Sequence, residues 1–162
     1  AMEVLMAFTG MRREEVRELR NSDLENNLVR ILGKRKKERK VPLTPEFWEA
    51  MKPYLDWKTE QRSSSDHFVL HKDANRPKLP ARPYALSSIS QAVTIHGLEL
   101  GLDISPHTLR RTFGRRLWKN GCPIEMVKEL LGHSSVQTTI LYLGINQYDI
   151  EDAAQYIPRY RK

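Results

Sequence analysis

Only one cysteine, Cys122, occurs in the 162 residues. A lone thiol excludes an intrachain disulfide framework and a cysteine-ligated zinc site. Set between Gly121 and Pro123 in a turn, it reads as a packing residue of a protein from a reducing compartment. No apolar run approaches the roughly 18 residues that a membrane-spanning helix needs, and no signal-peptide pattern opens the chain. Internal repeats and low-complexity tracts are also missing. His67 and His71 have a spacing that metal ligands use. Yet no acidic cluster stands near them, and "HFVLH" has the composition of a strand, where positions four apart are too distant for easy joint ligation. No metal site and no cofactor are therefore expected. What is present is 40% apolar and 29% charged residues, the balance of one globular domain with a real core. The opening "AMEVLMAFTG" reads as a helix entered partway, which predicts a piece of a longer protein.

Positive charge is in excess, with a net charge of +7 and a pI near 9.6, and a basic protein favours polyanionic partners. The charge is clustered. "GKRKKERK" (Gly33 to Lys40) carries six basic residues and one acid, and "HTLRRTFGRRLWK" (His107 to Lys119) carries five and none. Either cluster alone is as readily a solvated face as a surface that tracks phosphates.

Helical signals dominate. Residues 2–8 end at Thr9-Gly10, and a helix over about 12–20 turns Val16 and Leu19 inward. "NLVRIL" and "RKVPLT" predict a hairpin around the basic segment, with Leu28, Val29, Ile31 and Val41 on its packed face. Thr44 and Pro45 open a helix whose stripe is Phe47, Met51, Tyr54 and Leu55. "HFVLH" is a short strand candidate, and the Pro-rich "KDANRPKLPARPYA" reads as an extended surface loop. Further helices are expected at about 86–100, 107–120, 123–131, 135–142 and 147–156. The fold class is mostly α with a small antiparallel β-sheet.

Three stretches carry candidate chemistry. In "SPHTLRRTFGRRL", Ser105-Pro106 starts a helix, so His107 and Arg110 share one side of its first turn, where the helix N-terminus already favours anions. In "FTGMRREEVREL", Glu15 lies three residues after Arg12 and is placed to hold its guanidinium; an exposed ion pair of little consequence has the same spacing. In "LGHSSVQTTILY", Gly132 caps one helix, and Ser134 with Gln137 fits the capping box of the next. Val136 and Ile140 would point inward, His133 sits at the joint, and Tyr142 follows it by nine residues.

Together "TGMRREE", "GKRKKERKVPL", "HTLRR" and "LGHSSVQTTILY" resemble the successive signature boxes of the tyrosine recombinases, the phage-integrase family, in order and in spacing. The boxes run from Thr9 to Tyr142. The resemblance implies that family's catalytic-domain fold and a catalytic set of Arg12, Lys34, His107, Arg110, His133 and Tyr142, with Glu15 in support. It also implies a site-specific recombinase that cleaves one DNA strand at a time through a 3′-phosphotyrosyl bond, frees a 5′-hydroxyl, and rejoins without ATP or metal. Arg35, Lys36, Lys37, Arg39, Arg111 and Arg115 are expected on the DNA. The partners implied are double-stranded DNA carrying a recombination site and, on that DNA, three further copies in a tetramer, with a monomer when free. The location implied is cytoplasmic and nucleoid-associated, of prokaryotic or viral origin.

The sequence departs from the family in one box: glycine usually stands where Arg35 follows Lys34, which leaves Lys36 and Lys37 as competitors for the lysine's role. Residues 1–162 are expected to form a single catalytic domain that lacks the family's N-terminal DNA-clamping domain and one preceding helix, and to bind DNA weakly and salt-sensitively alone. Segment 144–162 has two possible docking places, its own domain or a neighbouring subunit. Two alternatives share the basic surface: a non-catalytic DNA-binding remnant of a recombinase, and strand cleavage like that of a type IB topoisomerase.

Overall fold

The computed structural model describes residues 1–33, 37–72 and 80–145. Seven α-helices and two small antiparallel sheets make up these residues. Helix α1 (Met2–Thr9) ends where Gly10 takes the left-handed conformation, φ 63°. A side chain at that glycine would also put Cβ 2.5 Å from the ring of Phe113, so glycine is required twice over. The chain then turns into α2 (Arg13–Glu18), which buries Val16, while Leu19 just beyond it is buried too.

Strands β1 (Leu24–Glu25), β2 (Leu28–Leu32) and β3 (Glu38–Pro42) form the larger sheet. Asn26 and Asn27, both at positive φ, make the two-residue turn between β1 and β2, a role for which asparagine is favoured. Alternation buries Val29, Ile31 and Val41. Leu28, expected beside them, is 36% exposed, because neighbouring residues of a strand face opposite ways. The same alternation turns Arg39 inward with Val41.

Helix α3 (Pro45–Glu60) buries Phe47 and Met51 in the core and keeps Tyr54 and Leu55 half-buried. The Tyr54 hydroxyl accepts from the Leu70 amide and donates to the Phe68 carbonyl, both at 2.7 Å. These bonds tie α3 to β4 (Leu70–His71), which pairs with β5 (Arg82–Pro83). The Pro-rich stretch thus contains a short strand as well as loop, and its residues 73–79 lie outside the described part. His67 and His71 have separate surroundings: His67 Nδ1 lies 3.2 Å from Arg20 Nη1, and the His71 ring stacks on Tyr84. Among the described residues, no three His, Cys, Asp or Glu side chains gather as a metal site would require, and no helix is long and apolar enough to cross a membrane.

The remaining helices are α4 (Leu86–Glu99), α5 (Pro106–Lys119), α6 (Ile124–Leu131) and α7 (Val136–Leu143). Helix α5 packs against α1, α6 and α7, and α6 packs on α7. Its Phe113 is buried, while Leu109 and Leu117 are half-buried against the core. Gly114 allows the closest approach: a Cβ there would stand 2.7 Å from Leu143 Cδ2 and 3.0 Å from Leu131 Cδ1. Alanine fits if the two leucine tips shift. Gly114→Val does not fit and should destabilise the fold by about 1–3 kcal/mol through overpacking, read as a lowered thermal midpoint; an unchanged midpoint would show that α7 is not seated there. The expected helix over 147–156 lies outside the described residues.

Candidate active site

Helix α7 begins one residue later than the sequence pattern suggests. Its N-cap is Ser135, whose Oγ accepts from the Thr138 amide at 3.1 Å, so Ser134 stays in the joint and borders the cleft. The buried face of α7 is Thr139 and Leu143, four apart, and Val136 and Ile140 are only half-buried. The helix ends at Gly144, and Arg115 of α5 donates to the terminal Leu143 carbonyl at 2.7 Å. Arg115, expected on DNA, therefore also anchors the helix that carries Tyr142.

Helix α5 starts at Ser105, which caps the Thr108 amide, with Pro106 in the first turn. That start exposes His107 and buries Arg110, the latter only 3% exposed. The Arg110 guanidinium donates to two carbonyls, Gly10 at the end of α1 and Leu131 at the end of α6. Two helix C-termini thus fix its plane. A guanidinium has five N–H groups, so donors remain for a ligand. Burial and the neighbouring Arg12 push Arg110 down to about 10, still cationic at neutral pH.

Arg12 is the N-cap of α2, and Glu15 folds back on it: the carboxylate accepts from the Arg12 amide at 2.8 Å and from its Nη1 at 2.9 Å. The spacing of Arg12 and Glu15 is that of an exposed helix pair, but Glu15 is 7% exposed. Arg39, reaching in from β3, grips the same carboxylate with Nη1 at 2.9 Å and Nη2 at 2.7 Å, and its Nε donates to the Leu130 carbonyl. Arg39, expected among the DNA-facing cations, is 8% exposed, and its guanidinium is committed to Glu15 and α6. Arg110 stands 3.9 Å from Glu15 as well. Three guanidiniums around one carboxylate leave this part of the interior cationic. Burial pushes the Glu15 carboxyl up, but the hydrogen bonds and charge of Arg39 and Arg12 outweigh it and hold it below the usual carboxylate range.

His133 follows the left-handed Gly132 and is 8% exposed. Its Nδ1 lies 3.0 Å from the Thr139 hydroxyl. Burial, then Arg110, Arg12 and Arg39, push its pKa down to about 4, so the ring is neutral at pH 7. The Tyr142 ring meets it edge to face, centroids 5.1 Å apart, and lies 6.0 Å from the Arg110 guanidinium carbon. The Tyr142 hydroxyl donates to the His107 carbonyl at 3.2 Å. Burial raises the phenol, and although Arg110, Arg111 and Arg12 pull the other way the net shift is upward. The resting tyrosine is protonated.

Arg12, His107, Arg110, His133 and Tyr142 thus border one cleft of about 430 Å³, together with Arg13, Glu14, Pro106 and Thr138. An adjoining lobe shares Arg12, His133 and Thr138 and extends to Gly33, Lys37 and Arg39 at the hairpin. Lys37 is exposed and pairs with Glu129 at 3.3 Å; Arg111 is exposed on α5. Lys34, Arg35 and Lys36 lie outside the described residues. The inward Arg39 and the buried Thr139 escaped the sequence reading. Strand alternation carried a signal for the first; for the second the only hint is a threonine four residues before the buried Leu143.

The chain matches the phage integrase family over residues 1–148. It is 34% identical over 150 residues to tyrosine recombinase XerD of Lacticaseibacillus casei, covering 88% of this chain and 48% of that protein. The crystal structure of XerA recombinase superposes with a TM-score of 0.79 at 28% identity, over 97% of this chain and 57% of that one. The XerH site-specific recombinase bound to its difH substrate, a pre-cleavage complex, superposes with a TM-score of 0.70 at 27% identity, over 94% and 45%. This chain spans about half the length of the curated relatives it matches. With Arg12, His107, Arg110, His133 and Tyr142 bordering one cleft and the match running over nearly the whole chain, the protein belongs to the phage integrase family of tyrosine recombinases.

Proposed function

We propose that the chain is the catalytic part of a site-specific DNA recombinase and that Tyr142 is its nucleophile. The observation that carries the reading is the convergence of Arg12, His107, Arg110, His133 and Tyr142 on one cleft. A phosphodiester seated there meets fixed cationic donors before the tyrosine acts. Attack by the Tyr142 oxygen forms the phosphotyrosyl bond and breaks the bond from phosphorus to the 5′-oxygen. The negative charge that builds on the non-bridging oxygens falls to Arg12 and Arg110, the kind of preorganised stabilisation that contributes most to such reactions. The phenol proton must leave; the imidazole of the exposed His107, whose carbonyl takes the Tyr142 hydroxyl at rest, is the acceptor in this reading. His133, neutral, offers an N–H to a phosphate oxygen. Lys34 is the proposed proton donor to the departing 5′-oxygen, with Lys37 at the edge of the cleft as its competitor. The ester conserves the bond energy for rejoining.

The partner is double-stranded DNA. Lys37, which lines the lobe at the hairpin, and Arg111, exposed on α5, would contact the phosphates around the scissile one. Cleavage and rejoining of two duplexes calls for four copies on the DNA, in a cytoplasmic, nucleoid-associated setting. The experiment is a pool of nicked duplexes with randomised sequence, in which cleavage releases a short fragment and traps the ester. Wild type should yield a protein–DNA adduct stable to denaturation and to EDTA, and Tyr142→Phe should yield none. A wild type that never forms the adduct would leave a DNA-binding remnant. Relaxation of supercoiled DNA without sequence preference would favour the topoisomerase-like alternative.

A further inference from the structure

The histidine of the cleft has a buried neighbour to which no role has been given. Thr139 is fully buried, and its hydroxyl lies between two possible partners: Nδ1 of His133 at 3.0 Å and the Ser135 carbonyl at 3.3 Å. The hydroxyl has one proton to give. If it goes to Ser135, Nδ1 must itself be the donor to Thr139, and Nε2 faces the cleft as a bare lone pair. If it goes to His133, Nδ1 is the acceptor and Nε2 carries the ring's proton. The contact to His133 is the shorter, and the Ser135 carbonyl already receives the Thr139 amide at 3.3 Å. Nε2 has no protein partner among the described residues, and the ring borders the cleft beside Arg12 and Arg110.

We propose that Thr139 is a positioning residue that selects the tautomer of His133: its hydroxyl donates to Nδ1 and so leaves Nε2–H as the donor that faces the scissile phosphate. The consequence for cleavage rests on the recombinase reading; the tautomer itself does not. Selection matters because the ring is neutral. Every charged group around it is cationic or cation-bound: Arg12 at the start of α2, Arg110 on α5 and Arg39 on β3, with Glu15 held among them; the phenol of Tyr142 is the other titratable neighbour. A second ring proton is therefore disfavoured, and a neutral imidazole with the wrong tautomer would point a lone pair at phosphate oxygens.

The test labels the five histidines with nitrogen-15 and reads the ring nitrogens by long-range proton–nitrogen correlation, with His133 assigned from the His133→Ala spectrum. In wild type and Thr139→Ser, Nδ1 should be bare and Nε2 protonated. In Thr139→Val the preference should be lost or reversed. A protonated Nδ1 in wild type, or the same tautomer in Thr139→Val, overturns the proposal. Kinetics give a second arm on nicked duplex DNA. Thr139→Val should slow adduct formation about tenfold, the scale of one lost hydrogen bond, Thr139→Ser should restore it, and Thr139→Val should add nothing in a His133→Ala background. Full additivity there would mean that Thr139 acts through the fold alone and would also overturn the proposal. If wild type forms no adduct, the recombinase reading fails, and the spectra still decide the tautomer. If Thr139→Val does not fold, the wild-type and Thr139→Ser spectra decide it.

Discussion

Replacing Arg110 by alanine should lower single-turnover adduct formation by about a hundredfold to a thousandfold, the cost of removing one preorganised donor from a developing oxyanion. The size follows from how the residue is held. Its guanidinium is buried, locked in plane by the Gly10 and Leu131 carbonyls, and crowded by Arg12. In the proposed reaction such a cation would need no reorganisation when a phosphate arrived, and the phosphate would relieve its repulsion with Arg12. Arg110→Lys should recover little, because an ammonium cannot hold two helix ends and a phosphate with one rigid fork. Thermal unfolding of both variants separates lost chemistry from lost structure, since the side chain also bridges α1 and α6. An adduct rate within a few-fold of wild type would remove Arg110 from the reacting centre.

Glu15→Ala should be the most destabilising single change near the site, at about 3–5 kcal/mol, because it leaves the buried Arg39 without its counter-charge. Among the described residues the Arg39 guanidinium has two bonds to that carboxylate and one other, to Leu130. Arg12 would lose its tether too, so activity should fall even where the variant still folds. The pH dependence has a definite sign. Glu15 is held below its ordinary value in the folded chain, so its ionisation stabilises the fold above the unfolded carboxyl's pKa of about 4.3. That contribution disappears as pH falls through the lower folded value. The stability gap between wild type and Glu15→Gln, taken from urea titrations, should be full at pH 7 and should shrink below about pH 4. A gap that does not change with pH would mean that the carboxylate is not the group holding Arg39.

The elements that were legible in the sequence are those whose causes are local. Gly10 and Gly132 ended their helices, Ser105-Pro106 began α5, and the 3.6-residue period placed Val16 of α2, Phe47 and Met51 of α3 and Phe113 of α5 in the core, because each depends on groups within a turn of one another. On α5, Arg110 and Gly114 are buried beside Phe113, while the expected Leu109 and Leu117 are half-buried. Local rules failed where two neighbours satisfied them equally. Ser134 and Ser135 are both ordinary N-cap residues, and the extended backbone at Ser135, φ −142° and ψ 155°, shows which one caps. The hairpin face is ambiguous in the sequence at Leu28, because Leu28 and Val29 are both apolar and only pairing in the sheet tells which side is the core.

The sequence by itself determined the order of the boxes and the residue types they carry, and with them the family. Only the tertiary structure decided what each charge meets. Arg39 and Glu15 are 24 residues apart in the chain, and Arg110 and Gly10 are 100 apart. No pattern of spacing states that such groups will share one site. Packing decides it, because a buried guanidinium or carboxylate must find its partner wherever the fold brings one within reach. For the same reason Arg39 moved from the expected DNA surface into the interior, and an unremarked threonine came to stand behind the histidine of the cleft.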